Sequence, residues 1–141
     1  MLNYSIRQIN SALDNGEFSC VELTQHYLKR IEELDKKINS FTCMLKEQAL
    51  KQAAQADTRR ANNQHTLLTG IPLAHKDNFC TEGHITSCGS RMLENFVAPY
   101  NATIVENLLQ AGAVTLGKLN MDEFAMGSTT ATSYYGKTLN P

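Results

Sequence analysis

Residues 70 to 78 read GIPLAHKDN, an apolar run that a glycine opens and a polar triplet closes. Pro72 carries no backbone N–H, so it belongs at the start or the edge of a strand. The run therefore predicts a short strand that gives way to a loop at Lys76 and Asp77. In α/β folds, sites form where strands end at one edge of the sheet. This stretch is the first place to look for a functional site.

A second strand is predicted farther along the chain, after a helix. Asn101 is the expected N-cap of that helix, and Gly112 is its expected end. Residues 113 to 116 read AVTL, a strand of the buried type. A strand, a long connection with a helix and a second strand are typical of a βαβ crossover in a parallel sheet. The predicted fold class is therefore α/β.

Amphipathic helices are predicted before this core. Ser5 is an N-cap signal for a short helix that stops at Gly16, and Ser19 with Glu22 forms the capping box of a longer one. An alanine-rich helix is expected at about residues 46 to 62, after a short strand. The longer helix repeats apolar residues at steps of four and three, which predicts one continuous stripe buried in the core: Leu23, Tyr27, Ile31, Leu34 and Ile38.

Lys76 is the residue to which we assign candidate chemistry. A lysine acts as a general base only when it is neutral. Because the ordinary pKa of a lysine side chain is about 10.4, neutrality near pH 7 requires desolvation or nearby donors and cations. The competing interpretation is a lysine in solvent, or one paired with an acid, as most lysines are. Spacing along the chain does not decide between the two.

Residues 127 to 133 read GSTTATS and offer hydroxyl groups as candidate nucleophiles, Ser128 and Ser133 among them. The sequence has no Gly-x-Ser-x-Gly elbow, and neither serine has an obvious base partner. A hydroxyl-rich loop is the simpler interpretation. The sequence also lacks a glycine-rich phosphate loop.

Composition and charge limit the classes of function. The chain has 141 residues, enough for one domain, and its formal net charge of −1 argues against a nucleic-acid-binding module. No apolar run reaches the roughly 18 residues of a membrane span. The four cysteines match no zinc or thioredoxin spacing and indicate free thiols in the cytosol. His75 and Asp77 form a weak metal pattern, and no metal is assigned.

These stretches closely resemble the amidase signature family. The run at residues 70 to 78 is similar to the family segment that carries its catalytic lysine. Residues 117 to 128, GKLNMDEFAMGS, are similar to one branch, whose members hydrolyse glutamine within a tRNA-dependent amidotransferase. Residues 135 to 141, YGKTLNP, and the opening helices also fit, so the resemblance covers essentially the whole chain.

The resemblance implies the N-terminal part of the amidase-signature fold, a mixed or parallel β-sheet covered by helices. We expect residues 1 to 66 to be mostly helical and residues 67 to 141 to begin the α/β core of a single amidase domain. In the family, a glycine- and serine-rich signature follows the Asn-Pro at which this sequence stops. The chain is therefore expected to be truncated before that signature.

The resemblance also implies a catalytic relay of two serines and one lysine. Lys76 is the implied catalytic lysine, and the backbone of Met126, Gly127 and Ser128 is implied to line the substrate pocket. Both relay serines belong to the signature that these residues lack, so we expect the 141 residues to be inactive alone. Ser128 and Ser133 are not taken as replacements.

For the full-length enzyme, the resemblance implies glutamine as the substrate and ammonia as the product passed to another subunit. The implied assembly is a cytoplasmic heterotrimeric amidotransferase that converts Glu-tRNA(Gln) to Gln-tRNA(Gln) in translation. ATP and Mg²⁺ would serve a partner's site, and no cofactor is expected in this chain. Contact with a membrane or DNA is not expected.

Two alternatives stay open at this point. The chain is a fragment of a stand-alone amidase that acts on small amides, or it is a non-catalytic truncated remnant. The sequence departs from the branch at His75, Thr129 and Ala131, and these departures leave the class of enzyme unchanged. The strands at residues 71 to 75 and 113 to 116 are expected to lack neighbours, which would leave the isolated chain poorly soluble, oligomeric or partly molten.

Overall fold

The computed structural model describes residues 4 to 141; Met1, Leu2 and Asn3, which open the predicted domain, lie outside the described part. Helices dominate the first part of the chain, and strands and long loops dominate the second. In chain order the elements are α1 Ile6–Asp14, α2 Cys20–Ile38, β1 Phe41–Met44, α3 Lys46–Ala61, β2 Pro72–Lys76, α4 Thr103–Gln110 and β3 Val114–Leu119. Single 3₁₀ turns lie at Arg91–Leu93 and Glu123–Ala125.

The three strands form one mixed sheet in the order β1–β3–β2. β2 and β3 run parallel, with Pro72 opposite Val114 and Lys76 opposite Leu119. β1 runs antiparallel to β3, and Phe41 also pairs with Leu119. The predicted crossover through α4 and the α/β fold class are therefore confirmed.

β3 is the central strand, and all of its residues except Leu119 are buried. It continues beyond the predicted residues 113 to 116. The prediction that this strand lacks neighbours is wrong, because β1 and β2 flank it on both sides. Within residues 4 to 141, β2 pairs on one side only, and most of its residues are half-buried.

The predicted N-caps of α1 and α2 are confirmed, and both form capping boxes. The Gln8 amide donates to Ser5 Oγ at 3.3 Å, and the Glu22 amide donates to Ser19 Oγ at 3.0 Å. The side chains of Gln8 and Glu22 accept hydrogen bonds from the cap amides in return. Each cap of this kind typically contributes about 1 kcal/mol.

The face of α2 that carries the apolar stripe is fully buried only near the start of the helix. Leu23 and Leu28 are 0% and 2% exposed, whereas Leu34 is 37% exposed. The prediction of a continuous buried stripe is therefore wrong at Leu34. Tyr27 and Ile31 are half-buried against the core. Together with Leu34 and Ile38 of the stripe and Phe41 of β1, they line an open groove.

α4 begins without the predicted side-chain cap. Ala102 occupies the N-cap position, and its side chain makes no capping bond. Asn101 Oδ1 accepts from the Glu82 amide at 2.8 Å, and its Nδ2 donates to Glu106 at 3.1 Å. The prediction of Asn101 as the cap is wrong because its side chain joins the helix to the preceding loop instead.

Small residues allow close packing between the helices and the sheet. Ala49, Ala53 and Ala56 are all buried on one face of α3. Just before β2, Gly70 has a φ of +83°, and a Cβ atom there would lie 2.2 Å from Cys20 Sγ. A residue other than glycine would be strained at this φ and would collide with the Cys20 side chain. This contact places the start of β2 directly against the start of α2.

Asn39 ends α2 and connects it to the far end of the chain. It has a left-handed conformation with φ of 59° and ψ of 44°. Its Nδ2 donates to the Tyr135 carbonyl at 2.9 Å. Its own carbonyl accepts from Thr138 Oγ1 at 2.8 Å and from Asn120 Nδ2 at 3.2 Å. Asn39 therefore holds residues 135 to 138 against the end of α2.

Candidate functional site

Lys76 lies where β2 and β3 end side by side. Lys76 pairs with Leu119, and the next amide, that of Asp77, donates to the Leu119 carbonyl at 3.0 Å. The Lys76 side chain is exposed, and nothing within residues 4 to 141 accepts a hydrogen bond from its ammonium group. The structure therefore places this lysine at the carboxyl edge of the parallel strands, open to approach by another group.

Asp77, the neighbour of Lys76, is buried and held by the loop that follows β2. The Ser87 hydroxyl and amide both donate to Asp77 Oδ2, the amide at 3.2 Å. The Cys88 amide donates to the Asp77 carbonyl at 3.1 Å. Because these bonds fix the residue next to Lys76, the backbone from which the lysine projects is fixed as well.

A second lysine, Lys118, is fully buried on β3 and faces this junction. Its Nζ donates to the Phe79 carbonyl and to Thr86 Oγ1, both at 2.9 Å. It also lies 3.3 Å from Asp77 Oδ1 in an ion pair, and that oxygen has no directed hydrogen bond. Burying an ammonium group is costly unless the group is paired and hydrogen-bonded. The burial of Lys118 therefore depends on all three of these partners.

The sequence reasoning missed the role of Lys118, because it ended the predicted strand at residue 116. The available signal was a lysine between Leu116 and Leu119, in a segment otherwise typical of a buried strand. His75 is also buried, and its Nε2 lies 3.3 Å from Thr115 Oγ1. Burial, together with the charge of Lys118, lowers the pKa of His75, so a neutral imidazole is favoured there.

Met126, Gly127 and Ser128 lie on an exposed loop after the second 3₁₀ turn. The base of this loop is Asp122, which is only 5% exposed. The carboxylate of Asp122 accepts four hydrogen bonds: from the amides of Thr129 at 2.9 Å, Thr130 at 2.8 Å and Thr132 at 3.2 Å, and from Thr132 Oγ1 at 3.0 Å.

These bonds change the acidity of Asp122. Burial by itself raises the pKa of a carboxyl group, but the amide and hydroxyl donors of Thr132, Thr130 and Thr129 outweigh it. They hold the pKa of Asp122 below its ordinary value of 3.8. The carboxylate is therefore ionised at neutral pH, as its role as a fourfold acceptor requires.

Gly127 packs directly on the Asp122 carboxylate. A Cβ atom at position 127 would lie 2.5 Å from Asp122 Cγ and 2.7 Å from both of its oxygens. These distances are shorter than any ordinary contact, so a larger residue would displace either the loop or the carboxylate. The glycine in this motif is explained by that close approach.

Backbone hydrogen bonds connect this loop to the Lys76 junction. The Phe124 amide donates to the Cys88 carbonyl at 2.9 Å, and the Tyr134 amide donates to the Gly89 carbonyl at 2.8 Å. Cys88 in turn bonds to Asp77. The structure thus brings Lys76 and residues 126 to 128 to connected parts of one edge, although no hydrogen bond within the described chain joins them directly.

Within residues 4 to 141, no hydrogen bond joins Lys76 to either candidate nucleophile, Ser128 or Ser133. Ser128 is exposed on the loop. Ser133 Oγ donates to Asn120 Oδ1 at 2.6 Å and accepts from the Tyr135 amide at 3.2 Å. The Ser133 hydroxyl is therefore engaged in holding the loop, as expected for a structural residue.

The cysteines are free thiols. Burial, with a contribution from the neighbouring Asp57, raises the pKa of Cys20 to about 12. Burial likewise raises the pKa of Cys43 and Cys88, to which the charge of Asp77 also contributes. High pKa values keep thiols protonated, so these three groups are poor nucleophiles.

Two further classes of feature are missing from residues 4 to 141. No three His, Cys, Asp or Glu side chains in this part come together as a metal-binding group. No helix in it combines the length and apolar character needed to cross a bilayer.

Comparison with known proteins identifies the family. Residues 22 to 141 match the family model described as Amidase. This chain belongs to the amidase family. The predicted resemblance to that family, and the fold that it implied, are confirmed.

Curated relatives of this amidase chain match it along its full length. It is 59% identical over 141 residues to the A subunit of the glutamyl-tRNA(Gln) amidotransferase of Nitrosococcus oceani, covering 100% of this chain and 29% of that protein. It is 57% identical to the protein of the same name from Saccharophagus degradans, with the same coverage. The chain thus spans about 29% of the length of these relatives.

Solved structures of amidases share the fold. The peptide amidase of Stenotrophomonas maltophilia superimposes with a TM-score of 0.88 at 34% identity, over 96% of this chain and 29% of that one. The A subunit of the glutamyl-tRNA(Gln) amidotransferase of Thermotoga maritima gives a TM-score of 0.73 at 33% identity, over 98% of this chain and 28% of that one.

Proposed function

We propose that this chain is part of the glutamine-hydrolysing A subunit of a glutamyl-tRNA(Gln) amidotransferase. The observation that carries the proposal is 54 to 59% identity to proteins of that name, over 97 to 100% of this chain. The connected edge formed by Lys76, Asp77 and the loop at residues 126 to 128 supports it, since hydrogen bonds through Cys88 link an exposed strand-end lysine to that loop.

In this proposal Lys76 is the general base of the relay. It accepts the proton of the attacking serine through a bridging serine, and the serine oxygen bonds to the side-chain carbonyl carbon of glutamine. The C–N bond then breaks, the nitrogen leaves as ammonia with a proton from the relay, and water releases glutamate from the acyl-enzyme. The backbone of Met126, Gly127 and Ser128 lines the pocket that receives the amide.

Both relay serines are missing from these 141 residues, so this segment alone is inactive. In the assembled heterotrimer, the ammonia passes to a partner subunit that amidates Glu-tRNA(Gln) in the cytoplasm. ATP and Mg²⁺ serve the partner's site, in keeping with the lack of a glycine-rich phosphate loop in this sequence.

A chimeric enzyme tests the proposal. Residues 1 to 141 replace the matching segment of the Nitrosococcus oceani protein, and the chimera is assembled with the other subunits of that complex. We expect ammonia release from glutamine, with Lys76→Ala as the inactive control. A folded, assembled chimera without glutaminase activity would contradict the proposal.

A stand-alone amidase of small amides is the second candidate, favoured by the higher TM-score of the peptide amidase, 0.88 against 0.73. The reciprocal control places the same residues in the Stenotrophomonas maltophilia enzyme and assays a peptide amide. Activity there, with none on glutamine in the first chimera, would favour this candidate.

Reading the DNA beyond the codon for Pro141 separates both candidates from a non-catalytic remnant. A glycine- and serine-rich signature in frame supports an enzyme, and a stop codon supports a remnant.

A further inference from the structure

The loop at residues 126 to 132 turns around a single carboxylate. Asp122 receives three of the loop's backbone amides and one of its hydroxyls, all between 2.8 and 3.2 Å. Gly127 packs on the same carboxylate so closely that it leaves no room for a side chain. Contacts at both ends of the loop therefore depend on one group.

We propose that Asp122 is a positioning residue that holds Met126, Gly127 and Ser128 in the shape that receives the substrate amide. This inference rests on the proposed function, in which these three residues line the pocket. Asp122 itself is buried beneath the loop, so it acts on the substrate through the loop backbone.

Only a short carboxylate meets the requirements of this position. An asparagine would turn an N–H₂ group toward backbone amides that are themselves donors, so at least one pair of donors would face each other. A glutamate is one methylene longer and would collide with Gly127, which already lies at the limit of approach. Hydrogen bonds from amides to a carboxylate are also stronger than those to a neutral acceptor.

The test uses the Nitrosococcus oceani chimera with Asp122→Asn. The matched control is Asp57→Asn, because the Asp57 carboxylate also accepts two backbone amides, those of Cys20 at 2.7 Å and Val21 at 3.2 Å, at the start of α2. We expect Asp122→Asn to raise KM for glutamine about tenfold while kcat stays within about threefold, since the loop contacts the substrate in the ground and transition states alike. We expect Asp57→Asn to leave both constants unchanged.

Amide hydrogen exchange provides a readout that does not depend on activity. In Asp122→Asn, exchange in the peptide that covers residues 126 to 133 should accelerate about tenfold or more. In Asp57→Asn, acceleration should be confined to the first turn of α2. Asp122→Ser, which retains one acceptor oxygen, is the second variant if Asp122→Asn does not fold.

The outcomes separate the two proposals. A folded Asp122 variant with an unchanged KM, or an equal rise of KM in Asp57→Asn, would overturn the positioning role. An unsubstituted chimera that releases no ammonia would overturn the proposed function instead. Even if the chimera is inactive, the exchange measurement still tests the role of Asp122. If Asp122→Asn leaves the exchange of residues 126 to 133 unchanged, Asp122 does not hold the loop.

Discussion

Lys118 Nζ lies 3.3 Å from Asp77 Oδ1, and the two side chains are 0% and 2% exposed. One group belongs to β3 and the other to the loop that follows β2, so the pair joins the two parallel strands at their carboxyl ends. Burial makes each charge dependent on the other, because neither has access to water as a substitute partner.

Removing one member of this pair should destabilise the junction strongly. In the chimeric enzyme, Lys118→Met leaves the Asp77 carboxylate buried without its cation, a situation that typically costs about 3–5 kcal/mol. Amide exchange in β2 and β3 should accelerate accordingly. Adding Asp77→Asn to Lys118→Met should recover part of the loss. Lys46→Met is the control, because Lys46 pairs with Glu32 on the exposed surface, and it should change little.

Substitution of Lys76 should abolish activity without affecting the fold. Its side chain is exposed, so Lys76→Ala removes no buried contact. If this lysine is the relay base, glutamine hydrolysis by the chimera should fall by about 10²- to 10⁴-fold. Lys76→Arg should fail as well, because arginine stays protonated. Near-normal ammonia release by the arginine variant would show that Lys76 is not the base.

Residues 1 to 141 alone should release no ammonia from glutamine. Neither Ser128 nor Ser133 makes a described hydrogen bond to Lys76, and Ser133 is engaged with Asn120. The measurement is ammonia release by the purified 141-residue chain, compared with its Lys76→Ala variant. Turnover above that variant would mean that a serine within these residues serves as the nucleophile.

The contribution of Asp122 to loop stability should depend on pH. Its folded pKa lies below the ordinary value of 3.8, so the ionised form stabilises the fold above that pH. The contribution is lost as the pH falls through the lower, folded pKa. The measurement is the protection of residues 126 to 133 from amide hydrogen exchange, compared between the unsubstituted chimera and Asp122→Asn. The difference between the two should be largest at neutral pH and should disappear in acid. A difference that persists in strong acid would exclude the carboxylate as its source.

The isolated chain should associate in solution. The outer edge of β2 is unpaired within the described residues, and free strand edges template pairing between molecules. Leu34 on α2 also exposes apolar surface. Size-exclusion chromatography with light scattering should show oligomers or aggregates. A monodisperse monomer with one sharp unfolding transition would show instead that these residues form a self-sufficient domain.

Local features of the fold could be predicted from the sequence. Ser5 and Ser19 were identifiable as helix caps because their bonding partners lie three residues away. The strand that ends at Lys76 was identifiable from its apolar run. Asn101 misled the prediction because a residue with a capping side chain can bond to a loop as readily as to a helix, and only the fold shows which partner is near.

Long-range contacts explain what could not be predicted. Lys118 and Asp77 are 41 positions apart, and spacing gives no sign that β2 and β3 place them together. Asp122 lies within a segment recognised from its resemblance to a family, but nothing in that segment shows its carboxylate beneath the loop. Leu34 follows the helical period, yet its burial depends on whether another element covers that half of α2.

The contacts of Asn39 have a consequence for synthesis on the ribosome. Its carbonyl bonds to Thr138, which is 99 residues later in the chain. At about 5–20 residues per second, Thr138 is made roughly 5–20 seconds after Asn39. During that interval the bond between Thr138 and Asn39 cannot form, and it closes only after nearly all of these residues have been translated. The contact between residues 135 to 138 and the end of α2 therefore forms late in synthesis, although α2 is one of the first helices to be made.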